Sequence, residues 1–285
     1  MSDFIPVDEW IKGGFKKVNE TQDHQIEQIA LINQYIQNKT LSFPLKEHGF
    51  KVYSEYDEDG ILLYIFATIG TRSKRVLELC CGDGIECMSA NLIINHGWEG
   101  LLLDGDVNSI LRGKNFYSAK KITSLFPPKL MCEWIRKDTI RQLIVDQNFA
   151  GEIDLLSLDM DGNDYHILEI LTSCIRPRVI VCEIQNRIPA HKMITIPYSD
   201  SFIRGIGQHK EFYGTSLGAV KKLLNQRGYR LVGSNRYGFN VFFILDEECE
   251  GYFHRVDIET IYDNPYTQSL EKEWDEIKDL GWIEV

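Results

Sequence analysis

From Arg75 to Leu245 short apolar runs alternate with amphipathic stretches, and no other feature narrows the fold as far. VLEL (76–79), GLLLD (100–104), MCEWI (131–135), IDLLSLD (153–159) and RVIVCEI (178–184) read as buried strands. Between them, IECMSANLIINHG (85–97), DTIRQLIVDQ (138–147) and NDYHILEILTSC (163–174) read as helices, the first through Ile85, Met88, Leu92 and Ile93. TSLGAVKKLLNQRG (215–228) is a further helix, with a Ser or Thr cap, apolar positions at Leu217, Val220, Leu223 and Leu224, and a stop at Gly228. YRLVGSN (229–235), the turn RYGF and NVFFIL (240–245) then make a hairpin. Strands that alternate with helices pair in parallel and are covered on both faces. The expectation is an α/β fold: a doubly wound, mostly parallel, Rossmann-like sheet with a C-terminal antiparallel hairpin and N-terminal helices.

The first seventy residues lack that alternation. TQDHQIEQIALINQYIQ (21–37) has one apolar face, and DEDGILLYIFATIG (57–70) is a second helix, capped by Asp57 and stopped near Gly70. Both are expected to pack on the sheet or on another subunit, so a homodimer is allowed. The chain divides into an N-terminal helical region (1–70), the α/β domain (71–245) and an acidic extension (246–285).

The stretch VLELCCGDGIECM (76–88) occupies the loop after the first strand, where ligands collect in an open parallel sheet. Its cysteines lack the separated pairs that zinc sites use, and Cys80 and Cys81 are small residues suited to a tight turn. As a dinucleotide fingerprint it is poor: Gly82 and Gly84 fit, but Cys87 stands at the third glycine position. Glu78 and Asp83 would face a pyrophosphate there, a repulsion on the order of several kcal/mol at an effective dielectric of about 20. An NAD-dependent oxidoreductase is therefore disfavoured, and a cationic ligand is favoured. S-adenosyl-L-methionine carries an ammonium, a sulfonium and no phosphate. Asp104, closing the second strand, is placed to accept its ribose hydroxyls, and Asp138, after the third, to accept from the adenine amine. With Glu78, Cys80, Gly82 and Gly84 these make the cofactor-binding set.

These residues resemble a known group. Glu78 to Gly84 resembles motif I of the class I S-adenosylmethionine-dependent methyltransferases. YSEYDEDGILLYIF (53–66), DLLSLDMDGNDYHIL (154–168) and YGTSLGAVKKLLNQRGYRLVGSNRYGFNVFFI (213–244) resemble the FkbM-like branch. Together they span about Tyr53 to Ile244. The departures are Cys80, where glycine is usual, and Glu55 and Asp57, where Gln and Gly are commoner. The resemblance implies methyl transfer to a small acceptor, commonly a sugar hydroxyl in bacterial glycan or natural-product pathways. It also adds Glu58 and Asp59 to the cofactor-binding residues.

A hydroxyl acceptor needs a base or a metal to lose its proton. Asp159 ends the fourth strand, Asp161 follows it, and Glu183 ends the fifth. Two readings stand: Mg²⁺ held by Asp159, Asp161 and Glu183, completed by Asn163, Asp164 or Asn186, or a carboxylate that acts as base or orients a histidine. Asp164 also reads as a helix cap. The long connection 186–213 offers His191 and His209 as catalytic bases, with His166 a third candidate. In it Lys192 and Arg204 suit a phosphate on an activated sugar, and Tyr198 is a further substrate residue. N-methylation of a small amine or amino sugar, and a non-catalytic protein that keeps the fold, are the rival readings.

The net charge of -11 opposes a nucleic-acid partner, which normally meets a basic face. No apolar run is long enough to span a bilayer. Seven cysteines, an odd number, and the acids in MSDFIPVDEW where a signal peptide would be basic, lead to the expectation of a cytoplasmic protein.

Overall fold

The computed structural model describes residues 44–248 and 251–285; the amphipathic stretch 21–37 lies outside them. Five parallel strands form the middle and one flank of a seven-stranded sheet: β1 (Arg75–Leu79), β2 (Glu99–Asp104), β3 (Lys129–Cys132), β4 (Gly151–Leu158) and β5 (Ile175–Glu183). The hairpin of β7 (Tyr229–Ser234) and β8 (Asn240–Leu245) completes it, with β8 antiparallel to β5. The order is β3-β2-β1-β4-β5-β8-β7, so the chain reverses its winding between β1 and β4 and opens a crevice at their carboxyl ends.

Two apolar layers sandwich this sheet. Helix α1 (Glu58–Ile69) is apolar nearly all round, and Ile61, Leu62 and Ile65 are fully buried in one layer with Val76, Leu102 and Phe242. The other holds Ile167 and Leu171 of α5 (Asp164–Leu171), and Leu217 and Leu224 of α6 (Leu217–Gln226), against Leu77, Leu156 and Ile180. Ser216 caps α6 by accepting from the Ala219 amide, and Gly70 (φ 68°) stops α1.

Several expectations shift. Residues 85–89 are turn rather than helix, and α2 is only Ala90–His96. The Met88 and Ser89 amides donate to the Glu78 carboxylate, so the chain is held in place before the helix begins. Strand β3 ends at Cys132, and Trp134 and Ile135 turn toward the crevice instead. Asp57 sits at the cap of α1 but its side chain pairs with Arg236 at 2.9 Å.

The extension folds back on the domain. Val285 and β9 (Ile283–Glu284) pair with Met193 and with β6 (Ile194–Thr195), and Trp282 packs on Phe212 with ring centroids 4.6 Å apart. No helix among the described residues is long and apolar enough to cross a membrane.

Candidate active site

The crevice is built from strand ends upward. After Leu79 the chain turns through Cys80 (φ 57°), Gly82 (φ 59°) and Gly84 (φ 68°), and the Gly82 amide donates to Asp104 at 2.8 Å. Helix α3 (Val107–Ala119) packs so close that a Cβ on Gly113 would lie 2.1 Å from the Asp83 carbonyl oxygen. Glu78 is buried and accepts from Met88, Ser89 (amide and hydroxyl) and Ser157. Its carboxylate is spent on holding the loop, so it shapes the pocket rather than lining it. Asp104 keeps more capacity: each oxygen accepts one amide, from Gly82 and Asp106, and a carboxylate oxygen can accept a second hydrogen bond.

A cleft of about 70 Å³ lies beside this loop, lined by Cys80, Gly105, Glu133, Trp134, Met160 and Phe202, among others. Glycines seat its two aromatic rings: a Cβ on Gly105 would meet Trp134, and one on Gly162 would meet Phe202. Trp134 and Phe202 escaped the sequence reading, one assigned to a strand and the other inside the long connection. An aromatic residue just past the third strand is the signal that marked the first.

The connection after β5 lies over the cleft. Trp134 donates to the Asp200 carbonyl at 2.6 Å, Asn163 to the Ser199 carbonyl at 2.8 Å, and the Lys137 amide to the Tyr198 hydroxyl at 2.8 Å. A cleft of about 70 Å³ is far below the ~300 Å³ that small-molecule pockets start from.

At the β4 and β5 ends the structure brings together Asp159, Asp161 and Glu183, with carboxylate oxygens all within 4.8 Å of one another. Burial, then the charges of Asp164 and Asp161, push Asp159 up to about 7. Burial and then Asp159 push Glu183 well above the usual carboxylate range, and the two side chains are hydrogen-bonded. The pair thus holds a proton near neutral pH. Asp161 (φ 51°) is neutralised by Arg204 at 2.5 Å.

Arg204 is committed elsewhere than to a phosphate. It bridges Asp161 and Glu211 (3.3 Å) and lies 3.7 Å above the Tyr213 ring. Tyr198 donates to Asp200 at 2.5 Å and fastens the connection to Lys137. His191 and Lys192 are exposed before β6, and no hydrogen bond joins either side chain to the acids among the described residues. His209 Nδ1 accepts from the Glu211 amide at 3.2 Å, and buried His166 bonds the Ile196 carbonyl. Asp138 is exposed and paired with Arg136 at 3.5 Å; Glu133, Trp134 and Ile135 line the cleft in its place. Asp59 is buried, accepting from the amides of Val52, Tyr53 and Ser54. Buried Glu58 accepts from Asn235 and Asn240, so both acids hold the approach to α1, and Glu58 also ties it to the β7–β8 turn. Asn163 and Asp164 are likewise used, Asp164 by the Met160 and Gly162 amides, and Asn186 by Thr267. Cys81 and Cys87 are buried, and burial drives their thiols upward, the acids adding to it, which makes them inert; Cys80 is exposed at the cleft.

The sheet order, the glycine turn after β1 and the acid closing β2 are the arrangement expected from the resemblance to class I S-adenosylmethionine-dependent methyltransferases. Residues 135–231 match the methyltransferase FkbM domain. The match covers about a third of the chain and spans β4, β5 and the connection, where the acids stand, rather than the glycine turn. No curated protein sequence matches the chain. Among solved structures it is similar to magnesium protoporphyrin IX methyltransferase from Synechocystis PCC 6803 with bound SAM (13% identity, 78% of this chain and 79% of that one, TM-score 0.37). It is also similar to the N-terminal domain of EvdMO1 with SAH bound (14%, 75% and 94%, 0.40) and the glycopeptide N-methyltransferase MtfA with SAH (12%, 70% and 95%, 0.41).

Proposed function

We propose that the protein methylates a hydroxyl of a small acceptor, a sugar or nucleotide-activated sugar, with the Asp159–Glu183 pair as proton acceptor. The observation that carries this reading is the hydrogen-bonded carboxyl pair at the carboxyl ends of adjacent strands, where burial pushes Asp159 up to about 7. A hydroxyl must shed its proton as it is methylated, and a base with a pKa near the working pH does this best.

The cleft fits S-adenosylmethionine on its own chemistry: Asp104 retains acceptor capacity for a diol, aromatic and thioether side chains line the wall, and the surrounding charge is negative. Asp104 would hold the ribose, Trp134 and Ile135 the base, and the Cys80 to Gly84 turn the amino-acid end. Bound there, the cofactor supplies an electrophilic methyl on a sulfonium. Asp159 and Glu183 take the acceptor's proton, Arg204 holds Asp161 in place, and Trp134 and Phe202 exclude water. The described cysteines are free thiols, which supports a cytoplasmic setting.

A divalent cation such as Mg²⁺ is the second reading, favoured by the three clustered carboxylates. Calorimetric titration with S-adenosylhomocysteine, with NAD as control, tests the cofactor, and transfer of labelled methyl to sugars and sugar nucleotides with Mg²⁺ or EDTA tests the rest. Micromolar binding of S-adenosylhomocysteine alone, and EDTA-resistant transfer that rises through pH 7, is expected. No binding, or transfer only to amines, would overturn the reading; loss with EDTA would move the metal to the front.

A further inference from the structure

Four aromatic rings cluster beside the acid pair and none belongs to the cofactor cleft. Tyr56 lies edge-on to Tyr237 (centroids 4.9 Å apart) and Phe239 (5.2 Å), and Tyr266 closes on Tyr237 at 5.7 Å. They come from three distant segments: the approach to α1, the β7–β8 turn and α8 (Pro265–Leu270). Buried polar contacts set that assembly. Glu58 accepts from the Tyr56 amide and from Asn235 and Asn240 on either side of the turn; Asp57 pairs with Arg236; Thr267 donates to the Tyr237 carbonyl. The rings are not buried in return: Tyr266 is 41% exposed, and Tyr56, Tyr237 and Phe239 are half-buried.

The cluster adjoins the reacting acids. Glu183 stands opposite Asn240 in the β5–β8 register, and the Ile184 amide donates to the Phe239 carbonyl at 2.8 Å. Glu55, exposed beside Tyr56, also acts electrostatically on Asp159. The partly exposed rings offer apolar area, while the Tyr237 and Tyr266 phenols and the remaining acceptor capacity of Glu55, which is hydrogen-bonded to Tyr56, offer hydrogen bonds at the rim. A ligand matching both has an apolar ring face and a girdle of hydroxyls.

We infer that Tyr56, Tyr237, Phe239 and Tyr266 form a platform that binds a pyranose ring of the acceptor, stacked on the aromatic faces with its hydroxyls toward Glu55 and the acid pair. This rests on the methyl-transfer reading for its role, but the binding itself does not.

Saturation-transfer difference NMR on the full chain with methyl α-D-glucopyranoside, -galactopyranoside and -mannopyranoside tests it, glycerol serving as the ring-free control. At least one glycoside should receive saturation mainly on the C–H protons of one ring face, and glycerol none. Tyr266→Ala, at an exposed position, should reduce that transfer at least tenfold, and Tyr56→Phe should reduce it less, with S-adenosylhomocysteine affinity unchanged in both. No transfer to any glycoside, equal transfer to glycerol, or full transfer in Tyr266→Ala would overturn the inference. Failure here with intact S-adenosylhomocysteine binding leaves the methyltransferase reading standing; glycoside binding without S-adenosylhomocysteine binding does the reverse.

Discussion

At the scale of single residues, the two side chains with most leverage are Asp159 and Cys80. Asp159→Asn removes the proton acceptor, so turnover should fall by about 10²–10⁴, the range of general-base catalysis, with S-adenosylhomocysteine affinity kept within about threefold. Normal turnover would take the role away. Cys80 holds φ 57°, a conformation that costs an L-residue roughly 1–2 kcal/mol and glycine almost nothing. Cys80→Gly should therefore raise the melting temperature by about 2–4 °C, read by scanning calorimetry. An unchanged or lowered melting point would mean that the thiol's packing in the cleft outweighs the strain. Glu78 shows how a residue can be found for the wrong reason. Its position after β1 was legible, but only the fold shows that its carboxylate is consumed by Met88, Ser89 and Ser157.

At the scale of elements, the connection from β5 to α6 lies over the cleft. Its hold on the cleft runs through Asn163, Trp134 and Lys137, none in its own segment. Asn163→Ala removes the clasp on Ser199 without touching the acids. Stopped-flow fluorescence should show S-adenosylhomocysteine associating faster, by about two- to tenfold if the lost bond contributes about 0.5–1.5 kcal/mol. An unchanged rate would mean that the segment does not gate entry. Connection length alone showed that this stretch has a purpose. Which of its residues face inward was not readable, because irregular backbone has no period from which to infer a face. That is why the sequence singles out Arg204, His191 and His209 and passes over Phe202.

At the scale of the whole molecule, buried charge sets the response to pH. Asp59 and Asp164 are pushed up to about 6 and Asp159 to about 7, in each case first by burial. A folded-state pKa above the unfolded one means that folding takes up protons between about pH 4 and 7. The stabilisation is present in full below the unfolded value and is lost as pH rises through the folded one. Glu248, held low by Arg178, works oppositely and weakens the fold only in acid, below its ordinary range. Thermal unfolding should thus occur several degrees higher at pH 5.5 than at pH 8, and the reverse order would refute the balance. The same Arg178 binds Asp154 (2.9 Å), Glu248 (2.8 Å) and the carbonyls that end α1, tying sheet, helix and extension together. Arg178→Ala takes the buried cation away from Asp154 and Glu248, leaving Asp154 only backbone amides and Glu248 the half-exposed Arg72, and should cost about 3–5 kcal/mol by urea denaturation. A cost under about 1 kcal/mol would show the network to be dispensable.

The sequence by itself determined the alternation of strand and helix and the strand-end positions of Asp104, Asp159 and Glu183. Those follow from hydrophobic periodicity, which is local and survives in a one-dimensional string. Only the tertiary structure decided which acids face one another, which are spent on backbone amides, and that Tyr56, Tyr237 and Tyr266 meet. Such contacts join residues far apart in the chain, and their distances, burial and hydrogen-bond partners exist only once the sheet has brought them together.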